Sequence, residues 1–150
     1  GKFACADFNI GKFLSSEKLL GNISMNVNVD GKGFDKETAA ATIEGSVSSL
    51  VCNGYNYKNI DVKGNLAKNI FNGDLAVKDE NLELLFNGNI DFSKSPTQLD
   101  FSSDITKANL SKLNIAPAEE NVGITAKMDV NIVGNTMDDA TGAMHLNDVV

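Results

Sequence analysis

The chain has 150 residues, 42% of them apolar and 22% charged, which is the composition of a folded chain with its own core rather than of a disordered one. A formal charge of -7 (13 basic against 20 acidic side chains) excludes the clustered Lys/Arg footprint of a nucleic-acid binder and electrostatic docking on an anionic membrane. No apolar run approaches the ~18 residues of a spanning helix and no signal peptide is visible, and because the chain opens on Gly1 it reads as an excised piece of a longer protein.

Residues 2–8 open the chain as a short strand. Asn9 to Leu14 then lead into Ser15-Ser16-Glu17-Lys18, where a single helical turn is expected. Residues 19–30 alternate most cleanly, with Ile23, Met25, Val27 and Val29 against Ser24, Asn26, Asn28 and Asp30. Period-two alternation sends the apolar side chains to one face of a strand. Gly31-Lys32-Gly33 ends that strand.

A third strand places Ala39, Ala41, Ile43, Gly45 and Val47 on one face, and Asn53-Gly54 after it is the strongest short hairpin signal. Tyr55 and Tyr57 lead into Ile60, Val62, Gly64 and Leu66. Residues 71–92 then form a long hairpin around Lys78-Asp79-Glu80-Asn81, with Phe71, Gly73, Leu75 and Val77 on one arm and Leu82, Leu84, Phe86, Gly88, Ile90 and Phe92 on the other. Ser93-Lys94-Ser95-Pro96 turns the chain into Leu99, Phe101, Ser103 and Ile105. Leu110 and Leu113 stand at helical spacing before Pro117, so one or two helical turns fit there. A further strand carries Ile124, Ala126, Met128, Val130 and Ile132, and the loop at 135–139 hands over to Gly142, Met144 and Leu146.

An internal repeat emerges: residues 3–47 are similar to residues 101–146. Ile23 to Gly31 parallels Ala126 to Gly134, each preceded by a leucine-containing turn and followed by a glycine-bearing strand. Gly45, Gly64, Gly73, Gly88, Gly134 and Gly142 all fall on the apolar parity, where a bend, a bulge or a close approach is expected. The whole reads as one fragment of a repetitive all-β domain: a strongly curved antiparallel sheet of amphipathic strands, groove-like and elongated, with one or two short helical turns.

Motifs for catalysis are missing. His145 lies on the polar parity of the last strand with no nucleophile in its segment, Gly31-Lys32-Gly33 has neither phosphate-loop spacing nor a following helix, and Asp138-Asp139 and Asp74/Asp79 read as solvated turns. No enzyme, cofactor or metal site is expected. Cys5 and Cys52 allow one disulfide or two free thiols.

Gly54-Tyr55-Asn-Tyr57-Lys-Asn59-Ile60-Asp-Val62-Lys-Gly64, then Phe71-Asn-Gly73-Asp-Leu75-Ala-Val77-Lys-Asp79-Glu-Asn81-Leu82, then Phe86-Asn-Gly88-Asn-Ile90-Asp, resembles the AsmA-like/TamB translocation and assembly family. Ala108-Asn-Leu110-Ser-Lys-Leu113-Asn114 fits the same pattern. Glu80 departs from it, standing where Pro is expected in an Asp-Pro-Asn turn, which leaves the turn type open. The resemblance implies a periplasmic protein anchored in the inner membrane by an N-terminal helix outside this chain. It also implies a taco-like curved sheet with a hydrophobic groove, in a protein that moves phospholipid toward the outer membrane and assists outer-membrane protein assembly. It carries no catalytic residues.

From the residues themselves, an oily sheet face must be covered by a second sheet, by closure, or by a sheltered apolar ligand. Ile23, Met25, Val27, Val29, Ile60, Val62, Leu75, Val77, Leu84, Phe86, Ile90, Phe101, Ile105, Met128, Val130 and Ile132 are the expected lining of such a groove. Three functions follow: a conduit for phospholipid acyl chains; a chaperone-like module pairing strand edges with an outer-membrane barrel protein; and a sandwich-cored spacer. Neighbouring repeats of the same chain are a further expected partner, and nucleic acid is not one.

Overall fold

Each alternating segment pairs with the next one in the chain. In the computed structural model, which describes residues 1–32, 40–119, 123–133 and 141–147 (the last of these, and positions 128, 130 and 132, as backbone), nine strands form a single antiparallel sheet in the order of the sequence. They are β1 (Lys2–Asn9), β2 (Leu20–Lys32), β3 (Ala40–Cys52), β4 (Tyr55–Ala67), β5 (Ile70–Asp79), β6 (Leu82–Asp91), β7 (Gln98–Asn109), β8 (Gly123–Val133) and β9 (Thr141–Asn147), with one helical turn, α1 (Ile10–Phe13). Among the described residues no ladder joins β1 to β9, so the sheet is open rather than a barrel. The segments expected at 33–39 and 134–140, including the loop at 135–139 and Gly134, lie outside the described residues, as does the side chain of His145.

A line of irregularities crosses the strands. The register slips between Cys5 and Phe8 of β1, between Ser24 and Met25 against β3, between Glu83 and Leu84 against β7, and between Ile105 and Ala108 against β8. The residues concerned are neighbours. The Asp7 amide donates to Ser24 Oγ (3.0 Å), Ser48 Oγ to the Ser24 carbonyl (3.2 Å), Asn59 Nδ2 to the Lys78 carbonyl (3.4 Å) and Thr125 Oγ1 to the Thr106 carbonyl (3.4 Å). Asp7 and Asn59 take left-handed φ angles of 54° and 57° there, a conformation that Asn and Asp tolerate better than other side chains.

An extra residue in a strand reverses which parity faces inward and bends the strand. β3 turns Ile43, Gly45 and Val47 inward before Ser48, and Leu50 and Cys52 after it; β4 turns in Tyr55 and Tyr57 before Asn59, and Ile60 and Val62 after it. The apolar face therefore stays continuous while the sheet creases.

The crease folds the sheet over its apolar face. Cys52 and Leu66 both flank the packed cluster of Leu14, Leu20 and Phe92. Cys52 pairs with Tyr55, and on a straight β4 Tyr55 would stand about 35 Å from Leu66 at ~3.3 Å per residue. Opposite strand ends thus meet, and a buried hydrogen bond between Ser16 Oγ and Thr97 Oγ1 (2.9 Å) ties them.

Two connections drop a leucine onto this face. Asn9 caps α1 by accepting the Lys12 amide (2.9 Å), and Asn109 accepts the Lys112 amide (3.3 Å) in the β7–β8 turn. Leu14 and Leu113 follow, exposed to only 4% and 1%. The helical turn sits at Ile10–Phe13 rather than at 15–18, because the Asn9 cap starts it earlier and Ser15, with φ 57°, ends it. Residues 110–114 form hydrogen-bonded turns without becoming a helix.

Gly45, Gly64, Gly73 and Gly88, on the apolar parity, are points of close approach, and the crease falls elsewhere, at residues such as Asp7, Ser48, Asn59 and Thr106. Gly64 and Gly73 pair directly; a Cβ on Gly73 would lie 2.5 Å from the Gly64 Cα and 2.4 Å from the Lys63 carbonyl oxygen. Backbone there occupies the space that side chains fill elsewhere.

Candidate functional site

The folded apolar face collects thirteen of the sixteen expected lining residues. Ile23, Val27, Ile60, Val77, Phe86 and Ile105 are buried; Met25, Val29, Val62, Leu75, Leu84, Ile90 and Phe101 are half-buried. Met128, Val130 and Ile132 stand in register opposite Ser103, Phe101 and Leu99. Near the crease this face is packed, with Ile23, Val47, Ile60, Val77, Leu82, Ile105, Ala108 and Leu113 in one cluster. Away from the crease, Val62, Leu75 and Phe86 run side by side across β4, β5 and β6. Phe86 and Phe101 stack there with ring centroids 4.6 Å apart. At the β1 margin Phe3, opposite Val27, is 44% exposed.

A second concavity lies on the other face of the sheet. Its volume is about 1150 Å³, and it spans from Lys2 on β1 to Lys127 and Asp129 on β8. On each strand from β2 to β7 it touches three successive residues, such as Asp61-Val62-Lys63 and Asp74-Leu75-Ala76. A cavity on one face meets the side chains of alternate residues and only the backbone of the residue between them. The side chains facing this trough are therefore the polar ones, while Val62, Leu75 and Phe86 turn away from it into the folded interior. The sheet is a saddle: along the strands it closes over its apolar face, and across them it curls toward its polar face. The sequence led only to the first curvature, because alternation marks two faces but not which one bends inward.

Within the trough Lys63 Nζ stands 4.0 Å from Glu44, Asn87 Nδ2 donates to Asp74 Oδ1 (2.6 Å) and Ser102 Oγ donates to Asp129 Oδ1 (2.6 Å). Ala76 and Leu85, partners across β5 and β6, are the apolar part of the floor, and Leu85 is 62% exposed.

The motif that carried the family resemblance closes the apolar face at the hairpin end. The Tyr55 hydroxyl donates to Asp79 Oδ1 (2.6 Å), the Lys58 amide to Asp79 Oδ2 (2.9 Å) and the Asn81 amide to Asp79 Oδ1 (2.8 Å), while Asn81 Nδ2 donates to the Tyr55 oxygen (3.0 Å). Burial alone would raise the Asp79 pKa; these donors outweigh it and hold the carboxyl below its usual range. Burial, and then the Asp79 carboxylate, push the Tyr55 phenol up. Asp79 is buried, so sequence reasoning that read it as a solvated turn residue missed a structural lock. The signal was its parity, since Asp79 continues the series Phe71, Gly73, Leu75, Val77.

Cys5 and Cys52 are free thiols. Burial pushes the Cys52 thiol up to about 11, and Cys5 Sγ donates weakly to the Ile23 carbonyl (3.7 Å). Among the described residues no group of three or more His, Cys, Asp or Glu is placed to hold a metal ion, and no helix is long and apolar enough to cross a membrane. The fold and its two faces define an open, creased antiparallel sheet with an apolar inner surface and a charged outer trough. Comparison with family models, curated proteins and solved structures yields no match.

Proposed function

We propose that the chain is a segment of a periplasmic, AsmA-like/TamB-type protein whose folded apolar face shelters the acyl chains of phospholipid passing between the inner and outer membranes. The observation that carries this reading is the set of half-buried aliphatic and aromatic side chains on the apolar face: Met25, Val29, Val62, Leu75, Leu84, Ile90 and Phe101 line that face, several of them alongside its packed clusters, and retain accessible surface. Each CH₂ removed from water is worth about 0.8 kcal/mol, so an acyl chain gains on the order of 10 kcal/mol there. A surface without directional bonds also lets a chain slide along it. The sequence resemblance to the family supports the same reading.

Native mass spectrometry of the protein incubated with phospholipid vesicles tests it. Lipid adducts are expected on the parent protein and on Leu85→Ser, which alters the other face, and their loss is expected in Val62→Asp/Leu84→Asp. Adducts that survive the double substitution contradict the proposal.

A second reading, strand pairing with a barrel-protein client, is favoured by one observation. β1 forms the margin of the sheet, with Phe3 and Phe8 exposed beside unpaired backbone groups. Crosslinks from β1 to an added strand peptide, with no lipid adduct, would favour that reading.

A further inference from the structure

We propose that the polar trough is a docking site for an extended basic peptide segment that lies across the strands. The trough is independent of the acyl-chain reading, since it lies on the opposite face. Its side chains form two cross-strand rows. One runs Lys2, Asn28, Glu44, Lys63, Asp74, Asn87, Ser102, Asp129, and four of its five charges already have partners within the row: Glu44 with Lys63, Asp74 with Asn87 and Asp129 with Ser102.

The other row is the binding one. It runs Asn26, Ser46, Asp61, Ala76, Leu85, Asp104, Lys127. Asp61 and Asp104 have no hydrogen-bond or ion-pair partner among the described residues, although Lys127 stands across from Asp104. Between the two carboxylates lie Ala76 and the exposed Leu85. Three strand spacings of about 4.8 Å put Asp61 and Asp104 about 14 Å apart, and residues i and i+4 of an extended peptide span about the same distance. Lysine or arginine at i and i+4 would reach the two carboxylates, with an apolar residue at i+2 lying between Ala76 and Leu85 and with Asn26 and Ser46 facing the peptide backbone.

Charge and lining oppose other occupants. Five carboxylates against three lysines repel nucleic acid and anionic lipid headgroups. Among the described residues no aromatic side chain faces the trough to stack on a sugar, since Phe86 turns away from it. A second copy of a chain carrying -7 is disfavoured as well.

The test is fluorescence anisotropy at low and at physiological salt, using a labelled peptide with lysine at two positions four apart and leucine midway between them. Binding is expected to weaken about tenfold in Asp61→Asn/Asp104→Asn and to fall with rising salt. It is expected to weaken with Leu85→Ser, and to be weaker for a scrambled peptide of the same composition. Circular dichroism confirms that these surface variants stay folded. Equal binding of the scrambled peptide, no effect of the double substitution, or equally tight binding of spermine with no dependence on Leu85 would overturn the proposal.

Discussion

Tyr55 and Asp79, 24 positions apart, share a 2.6 Å hydrogen bond that joins the β3–β4 hairpin to the β5–β6 hairpin. The bond places a carboxylate on the apolar side of the sheet, where three further hydrogen bonds complete the network. A buried acceptor satisfied by three donors is costly to remove, because each donor is left unpaired.

Asp79→Ala is therefore expected to destabilise the fold by about 3 kcal/mol, and Tyr55→Phe by about 1 kcal/mol, measured as shifts of the urea midpoint. The Asp79 carboxyl titrates below its unfolded value. Its contribution is present above the unfolded carboxylate pKa, near 4, and is lost as pH falls through the lower folded value. The stability difference between the parent and Asp79→Asn should then shrink as pH drops below about 4 and stay flat above about 5. A difference that grows on acidification would contradict the assignment.

Asn59 holds the crease in β4 with a left-handed backbone and a side-chain bond to the Lys78 carbonyl. Asn59→Val is expected to cost about 2 kcal/mol and to raise amide exchange at Lys58 and Ile60, whereas Asn59→Gly should cost less than about 1 kcal/mol. Both are read by denaturant titration and hydrogen exchange.

Gly73 faces Gly64 across the ladder with no room for a Cβ. Gly73→Ala should destabilise by about 1–3 kcal/mol through overpacking against backbone that cannot swing aside. Gly54→Ala, at the hairpin turn with φ 77°, should cost a comparable amount through conformational strain rather than crowding. Chemical denaturation of the two variants measures both.

Cys52, pushed up to about 11 from an ordinary value of 9.0, carries about a hundredfold less thiolate near neutral pH than an unperturbed cysteine. Alkylation of Cys52 in the folded protein should be slowed by about that factor and restored in denaturant, as followed by peptide mass mapping.

Alternation made most of the fold legible. Strands 2 to 8 each contain the apolar series read from the sequence, and each pairs with the next one in the chain. The crease was harder to see, because a single inserted residue changes parity without changing composition. Tyr57 followed by Ile60 was the visible trace of it: an odd series passes into an even one across Asn59. The inner apolar face was legible as a set of residues. The trough was not, since curvature across strands depends on how the strands coil together, and alternation does not record that. Asp79 shows the same limit in reverse, being a polar residue in an apolar series that marks a buried lock.

The most direct test of the central claim uses a photo-crosslinker placed at Val62 or at Leu85, on opposite faces of the same sheet, with the protein incubated with phospholipid vesicles. The account predicts acyl-chain adducts from Val62 and none from Leu85. Adducts from Leu85 alone, or from neither position under conditions where a known lipid carrier is labelled, would contradict it.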